Sequence, residues 1–532
     1  MAAQVTDQFR ILNANNFIES VENNANSYYV FVGLANPGSG TNDPQVGFGR
    51  TSAWDTNTPN PVDSINYISH YQDTMMYGKR VNSENIRRLI KKREWASGEQ
   101  YEMYRHDYSV ENQSPITKKS RLYDTTYYVM NKNYNVYVCI DNGSSGINTT
   151  GNASQDEPLF TDLEPSRAGE SGDGYIWKYL FTVPPSDIIK FDSTEYITVP
   201  NGWLTSTESQ IQAVRDNGDS TVNNNQIKKI YIDNQGSGYK NVTDKEVDIL
   251  GDGTGGKCVI TTDSAGKIIK AVVSAGGKDY TYGMVDLGVL DGGNITVRAK
   301  LIPIIPPDKG HGANVYKELG TDKVLIYSRF DDKNKDFPID TRFSQIGIVK
   351  NPTSYGSTSI YTASEFSSLK ALKFNPSGNY DTNYPRIGQE IRQPLGSPAG
   401  AAGTAYGYVA SWDKETAVLK YFQDRSLYYN SVLADQTDYG NVTKEAKVLP
   451  FESSGTSVIS ANFTGSLETT FSGITTTSIT TNKIISLGTQ FTAGISTEEI
   501  NKGSGEVIYI DNRPLVPRNT RQKEDVKIIL EF

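Results

Sequence analysis

The sequence predicts a mainly β protein that is divided into several domains. At 532 residues the chain is too long for one ordinary hydrophobic core, so about three or four domains are expected. Short runs in which apolar and polar residues alternate are separated by turn residues, which is the pattern of β-strands. The 47 glycines and the excess of tyrosine (33) over phenylalanine (18) indicate a loop-rich β protein whose aromatic side chains keep a polar end near water or a partner.

The clearest predicted strand covers residues 175–182 and follows a glycine- and aspartate-rich turn. Its odd-numbered positions are aromatic, so one face of the strand is predicted to carry Tyr175, Trp177, Tyr179 and Phe181. The other face is half apolar, and we therefore predict a central strand with a core on both sides. The regular alternation favours burial of these aromatics over an exposed platform that stacks on sugars.

Two helices and a strand are predicted in the first 80 residues. A threonine caps the first helix, Asp63 caps the second, and a strand of β-branched and aromatic residues covers 27–33. The loop 36–61 is long enough to be a binding loop or a packed surface loop. The second helix is predicted to place Ile65, Ile68, Tyr71 and Met75 on one face. The first helix is predicted to bury apolar side chains at roughly helical spacing, namely Phe9, Leu12, Phe17, Ile18 and Val21.

Five basic residues are concentrated in one short predicted strand. The favoured interpretation is a solvated strand face, and a patch that binds an acidic partner protein is the second. Binding to nucleic acid is the least favoured, because the whole chain carries a net charge of −9. The residues of this predicted partner patch are Arg87, Arg88, Lys91, Lys92 and Arg93.

Further strands are predicted along the rest of the chain. The Ser/Thr-rich stretch 452–498 is expected to form extended strands or an arm that becomes ordered on a partner. One helical turn is predicted at 364–369. Two hairpins are predicted, one from 127–130 with 135–140 and one, in a small barrel, from 405–413 with 417–422. The other predicted strands cover 188–191, 196–199, 324–327, 346–349, 506–514 and 526–532.

Residues 205–300 contain an internal repeat. The segment 229–239 recurs as 270–280, and in each copy a strand leads to a glycine turn and then to a tyrosine, Tyr239 or Tyr280. We interpret 205–300 as a small β module that is inserted into a larger domain. Its deletion is expected to leave the other domains folded.

Motifs that carry chemistry are weak in this sequence. Residues 251–256 have the spacing of a dinucleotide-binding loop, but a strand follows where a helix is required. Residues 332–336 begin like a calcium loop, whose bidentate glutamate is replaced by Phe343. The three histidines lack metal-ligand spacing, and His311 is the one to test as a general base. No catalytic, cofactor-binding or metal-binding residue is predicted.

Composition limits the compartment and the partners of the protein. Cys139 and Cys258 are too few and too far apart for a disulfide scaffold or a zinc cluster, and no signal peptide is visible. The acidic balance argues against general binding to nucleic acid or to anionic membranes. We therefore expect a protein of a reducing compartment.

Several stretches together resemble the β-rich baseplate wedge subunit of T-even-type contractile-tailed phages, in its longer, cyanophage-like form. They are 28–33, 79–104, 136–140 and 173–179, and the segment 505–532 is similar to the close of that family. The resemblance covers about residues 25–200 well. The module 205–300 and much of 350–500 look like additions to the family pattern.

This resemblance implies a non-enzymatic virion protein of the tail baseplate, made in the host cytoplasm and without a cofactor. It implies a homodimer that packs against other wedge proteins, with no nucleic acid and no membrane insertion. The implied role is to bridge neighbouring wedge proteins during tail assembly and host infection. The alternatives are a tail adhesin that recognises host surface glycans and a polysaccharide-degrading tail enzyme.

The implied fold combines several β-sandwich or barrel domains with a small α/β domain to which both termini contribute. On this basis the α/β domain is predicted to comprise 1–100 with the C-terminal strands 500–532. The segments predicted between them are a β-sandwich core (101–204), the inserted module (205–300), a β domain (301–385), a small barrel-like domain (386–450) and a Ser/Thr-rich extended segment (451–499).

Overall fold

The computed structural model confirms a mainly β protein. The chain divides into two compact units, of which the first comprises residues 1–17, 87–325 and 529–532 and the second comprises 18–86 and 326–528. The finer division predicted from the sequence remains a prediction. None of the helices in the described ranges has the length and apolar character needed to cross a membrane. The structure describes residues 5–34, 58, 60–61, 65–220, 225–331, 341–378, 380–395, 404–423, 449–453, 457–518 and 522–532.

The α-helices of the described residues are short and few. They are α1 (Asp7–Glu22), α2 (Ile65–Thr74), α3 (Pro185–Phe191), α4 (Ser209–Gly218) and α5 (Val315–Leu319). Helix α3 replaces the strand predicted at 188–191. Pro184 caps it and Pro185 occupies its first turn, where the fixed φ of proline favours a helix start and the missing N–H costs nothing.

The strands are numbered in chain order. The first thirteen are β1 (Tyr28–Gly33), β2 (Met75–Val81), β3 (Ile86–Lys91), β4 (Tyr128–Met130), β5 (Asn135–Asn142), β6 (Tyr175–Thr182), β7 (Tyr196–Val199), β8 (Ile230–Asn234), β9 (Lys245–Gly251), β10 (Thr254–Thr262), β11 (Ile268–Lys278), β12 (Gly283–Val285) and β13 (Lys300–Pro303). The others are β14 (Lys323–Phe330), β15 (Arg342–Lys350), β16 (Glu365–Ser367), β17 (Lys370–Lys373), β18 (Glu390–Pro394), β19 (Thr404–Asp413), β20 (Val418–Phe422), β21 (Val458–Ser460), β22 (Phe463–Gly465), β23 (Gly473–Thr477), β24 (Ile484–Phe491), β25 (Ile495–Ser496), β26 (Glu506–Pro517) and β27 (Glu524–Glu531).

The core of the first unit is organised around the antiparallel sheet β4-β5-β6. The predicted hairpin is present as β4 and β5, which pair with Val129 opposite Tyr137. Strand β5 then pairs with β6, with Cys139 opposite Trp177. These side chains are fully buried and belong to one large cluster of apolar residues.

Strand β6 lies at the edge of this sheet and not at its centre, contrary to the prediction. Its outer side makes one isolated bridge, between Trp177 and Ser166. The register with β5 shifts twice, so that Leu180 has no partner opposite it. Most of β6 is nevertheless buried on both faces, because loops and α4 pack on it. The alternation therefore predicts the burial of the strand but not its position in the sheet.

The repeat-containing segment has its own sheets and its own core within the first unit. Strands β9 to β12 form a sheet in the order β11-β10-β9-β12, and β8 pairs with β13. Their buried apolar side chains form a separate cluster, which contains both repeat tyrosines. The hydroxyl of Tyr239 accepts from the N–H of Ala299 at 2.9 Å. The hydroxyl of Tyr280 donates to the backbone carbonyl of Ile249 at 2.8 Å. Each repeat tyrosine, which follows a glycine turn, thus bonds to backbone elsewhere in the segment.

The second unit contains two larger antiparallel sheets. One has the order β16-β2-β1-β15-β26, and every residue of β1 is buried because strands flank it on both sides. The other has the order β22-β21-β18-β19-β20-β17-β25 and contains the predicted hairpin β19–β20. Strands β23 and β24 pair separately, so the described part of 452–498 consists largely of strands and turns.

Three further local predictions differ from the structure. Helix α1 buries Ile18 and Val21 as predicted, but it exposes Phe9 and Leu12 by about half and buries Ile11 and Ala14 in its first turns. Helix α2 ends before Met75, which begins β2, and Ile65 is 84% exposed. The helical turn predicted at 364–369 is strand β16, which pairs with the edge of β2.

Candidate functional site

The four predicted core aromatics lie inside the first unit. Tyr175 and Trp177 stack with ring centroids 5.3 Å apart, and Tyr101 meets Trp177 edge-on at 5.8 Å. Tyr179 and Phe181 are also buried. The Tyr175 hydroxyl accepts from the N–H of Tyr101 at 2.9 Å, and burial raises the pKa of this hydroxyl. Rings that are covered in this way cannot act as a platform for sugars.

Two residues of the predicted partner patch form ion pairs with the segment of α3. Arg87 contacts Asp187 at 2.8 Å, and Lys92 contacts Asp192 at 3.2 Å. Burial opposes the charge of Lys92, but its carboxylate neighbours outweigh this and raise its pKa. These residues therefore have partners within the chain that the sequence pattern did not reveal.

The other residues of the patch are placed differently from one another. Arg88 is buried and its guanidinium lies 4.0 Å from the ring centre of Tyr316. Arg93 lies 4.6 Å from the ring centre of Tyr128. Lys91 is the most exposed of the five basic residues, with 52% of its side-chain surface accessible to solvent. The solvated-face interpretation fits Lys91, and contact of the patch with a partner stays a prediction.

His311 is enclosed by groups that fix its orientation. Its Nδ1 lies 2.6 Å from a carboxylate oxygen of Glu318, which is fully buried. The other oxygen of Glu318 accepts from the N–H of Gly312 at 2.8 Å. The ring of Tyr104 packs edge-on at 4.9 Å, and burial raises the pKa of its hydroxyl. These hydrogen bonds connect the loop that contains His311 and Gly312 to α5, and such an arrangement is typical of a structural histidine.

The glycine-rich motif 251–256 forms the turn between β9 and β10. No helix follows it, so it lacks the helix N-terminus that a dinucleotide requires. Asp252 accepts hydrogen bonds from the hydroxyl and the N–H of Thr281, which lower its pKa to about 2. The Tyr280 hydroxyl accepts from the N–H of the last glycine of the motif at 3.0 Å. The motif is a turn of the repeat-containing segment.

No cluster of three or more potential metal ligands occurs among the described residues. The calcium-like stretch 332–336 lies outside those residues, whereas Phe343 is in β15. His106 is exposed as a residue, but its Nδ1 accepts from the N–H of Ile305 at 3.1 Å, and partial desolvation of the ring lowers its pKa.

The loop 143–170 holds exposed apolar side chains on a hydrogen-bonded framework. Asn142 donates to two backbone carbonyls, at 3.0 and 3.2 Å. Asn148 and Asn152 each donate to a further carbonyl at 2.7 Å. Ile147, between these asparagines, is 79% exposed. An apolar side chain that is presented by a well-bonded loop is a candidate contact for another protein.

A second apolar surface, which the sequence did not predict, lies on the edge of the sheet β11-β10-β9-β12. Leu250, which is 47% exposed, lies directly opposite Met284, which is 62% exposed. Tyr282, which directly precedes β12, is 64% exposed. Leu250 directly follows Ile249 in β9, and Ile249 is buried. Because successive side chains of a strand point to opposite faces, their order in the sequence indicates that Leu250 faces away from the core that covers Ile249.

Comparison with known proteins connects this geometry to one family. The family model described as Bacteriophage T4, Gp8 matches residues 161–235, which contain β6, α3, β7, α4 and β8. The baseplate wedge protein gp8 of Enterobacteria phage T4 is 26% identical in an alignment 217 positions long, and the match covers 37% of this chain. The match spans 60% of that relative. The resemblance predicted from the sequence is thus confirmed, and this chain is similar to the T4-type baseplate wedge subunits.

Proposed function

We propose that this protein is a structural subunit of a contractile tail baseplate, which bridges neighbouring wedge proteins and is not an enzyme. The similarity to a baseplate wedge protein supports the location in the virion tail. The observation that supports the bridging role is the contrast between two sets of side chains. His311 and most of the basic run have internal partners, whereas apolar side chains on ordered loops and hairpins face outward.

Ordered loops and hairpins that present apolar side chains suit a protein that must hold neighbouring proteins in fixed positions. Ile147 is held by a loop whose asparagines bond to backbone, and Ile484 is 80% exposed at the start of β24. An apolar anchor that is ordered before binding loses little conformational entropy when a partner covers it. We propose that such side chains, together with aromatic and arginine residues, form the contacts with neighbouring wedge proteins.

We also propose that the protein is a homodimer in solution and in the baseplate. Light scattering on the purified full-length chain tests this, and a stable mass of two chains is expected. A stable trimer that binds host cell-wall glycans would support the adhesin alternative instead. Turnover of a host capsule polysaccharide that one carboxylate substitution abolishes would support the enzyme alternative.

Electron microscopy of assembled tails is the direct test of location. A density for this chain within the baseplate wedge, in contact with other wedge proteins, is expected. A matched preparation from a phage that lacks the chain should contain no complete baseplates. Normal assembly without this chain would overturn the proposed function.

A further inference from the structure

Behind the aromatic face of β6 lies a row of three polar side chains. Lys178 is 2% exposed, although its neighbours along the strand are aromatic or aliphatic. Its Nζ donates to Oδ1 of Asn217, in α4, at 2.6 Å and also to the backbone carbonyl of Leu163. The amide Nδ2 of Asn217 donates to Oε1 of Glu164 at 2.8 Å. An amine, a carboxamide and a carboxylate therefore stand next to one another.

The amine of Lys178 is within reach of the amide carbon of Asn217. A carbonyl bond is about 1.23 Å long, so the distance from Nζ to Cγ is at most about 3.8 Å. Reacting atoms in a near-attack geometry are about 3–3.5 Å apart. The upper limit on the Nζ–Cγ distance therefore exceeds the near-attack range by only about 0.3 Å.

The surroundings also favour the neutral, nucleophilic form of the amine. Burial lowers the pKa of Lys178 to about 8, and the positive charge of Lys228 acts in the same direction. The carboxylates of Glu164 and Glu318 oppose this effect. Part of the Lys178 population is therefore unprotonated near neutral pH, as a lysine nucleophile requires.

We propose that Lys178 and Asn217 form an intramolecular isopeptide bond after folding, with Glu164 as the proton carrier. The lone pair of Nζ attacks Cγ of Asn217, and Glu164 accepts a proton from Nζ. The Cγ–Nδ2 bond then breaks, and Glu164 returns the proton to Nδ2. The products are a secondary amide and ammonia, so no oxidant or other reactant is needed. Glu164 lies on the solvent side of the row, where ammonia can leave.

The bond would join β6 covalently to α4 in the core of the first unit. Crosslinking two elements that are distant in sequence restricts the unfolded chain and so favours the folded state. A chain-internal link of this kind would help a rigid protein to keep its fold under mechanical load. The inference depends only on these side chains, and it stands whether or not the protein is a baseplate subunit.

Intact-mass spectrometry of the full-length protein under denaturing conditions tests the proposal. The expected mass is lower than that of the sequence by about 17 Da, the mass of ammonia. After proteolysis, one branched peptide should connect the segments of Lys178 and Asn217. A protein that keeps its full mass after prolonged incubation at pH 8 to 9, without the branched peptide, would overturn the proposal. This measurement needs no variant and does not depend on assembly of a tail.

Variants separate the three roles. Lys178→Arg and Asn217→Ala should each have the full mass expected from their sequence, because one reacting group is missing. Glu164→Gln should show full mass initially and lose ammonia slowly, if at all. The matched control Asp162→Asn removes an exposed carboxylate two residues away and should crosslink like the wild type. Crosslinking of Asn217→Ala at Lys178 to another residue would contradict the assignment of Asn217.

Discussion

Trp177 illustrates how single side chains stabilise the first unit. It is fully buried, stacks on Tyr175 and receives the edge of Tyr101. Aromatic pairs of this kind contribute about 0.5–1.5 kcal/mol beyond the burial of their area. Phe9 is the opposite case, because a residue that the sequence places in the core is 52% exposed. Burial, and not residue type, decides how much each contributes to stability.

The first prediction compares these two residues. Trp177→Ala should lower the free energy of unfolding by about 3–5 kcal/mol, because it leaves a cavity that the packed core cannot close. Phe9→Ala should change it by about 0.5 kcal/mol or less, as is usual for exposed positions. Chemical denaturation of both variants measures the difference. Equal losses for the two variants would contradict the burial pattern.

The second prediction concerns the pKa of Asp252. Hydrogen bonds from Thr281 lower this pKa from 3.8 to about 2 in the folded protein. Because the folded pKa is below the unfolded one, the contribution to stability is present above about pH 4 and is lost as the pH falls towards 2. An NMR titration of the carboxyl group measures the pKa directly. Thr281→Val should raise it, and a wild-type value near 3.8 would contradict the turn geometry.

At the scale of elements, the structure divides the predicted module 205–300 into two parts. Helix α4 belongs to the main core, since Ile211 and Val214 lie in the same buried cluster as Trp203. The sheet β11-β10-β9-β12 has its own cluster instead. The family model also matches through residue 235, which includes α4 and β8. Strand β8 contributes to both clusters, with Tyr231 in the main core and Ile230 and Ile232 in the separate one, so a boundary after β8 removes no residue of the main core.

The third prediction follows from this boundary. Asn234 of β8 lies opposite Lys300 of β13, so residues 235–299 can be replaced by an Asn-Gly turn that joins the two strands as a hairpin. This variant should retain a cooperative thermal transition. Deletion of 205–300, which the sequence interpretation expected to be tolerated, should lose it because α4 is removed from the core. Circular dichroism during heating compares the two, and the reverse order of stability would contradict the boundary.

At the scale of the whole molecule, outward-facing apolar side chains are the features available to partners. Ile147 and Val110 are almost equally exposed, at 79% and 80%. They differ in position, because Ile147 lies in the loop 143–170 that we propose as a contact with neighbouring proteins. Surface exposure alone does not distinguish a contact residue from an ordinary one.

The fourth prediction uses Val110 as the matched control. Ile147→Asp should reduce incorporation of the protein into tails, because a charge would be buried in the contact. Its melting temperature should stay that of the wild type, since the side chain has little to lose in the isolated protein. Val110→Asp should be incorporated normally. Immunoblots of purified tails from a complemented phage measure incorporation, and equal incorporation of both variants would remove Ile147 from the contact.

By itself, the sequence determined the mainly β class, the burial of the β6 aromatics, the hairpins β4–β5 and β19–β20 and the resemblance to a baseplate wedge subunit. These features follow from period-two alternation and turn residues, which are local properties of the chain. Only the tertiary structure decided that β6 is an edge strand, that Arg87 and Lys92 face carboxylates of the α3 segment and that Lys178 meets Asn217 and Glu164. Those arrangements join residues far apart in sequence, and the alternation of one strand carries no information about what packs against it.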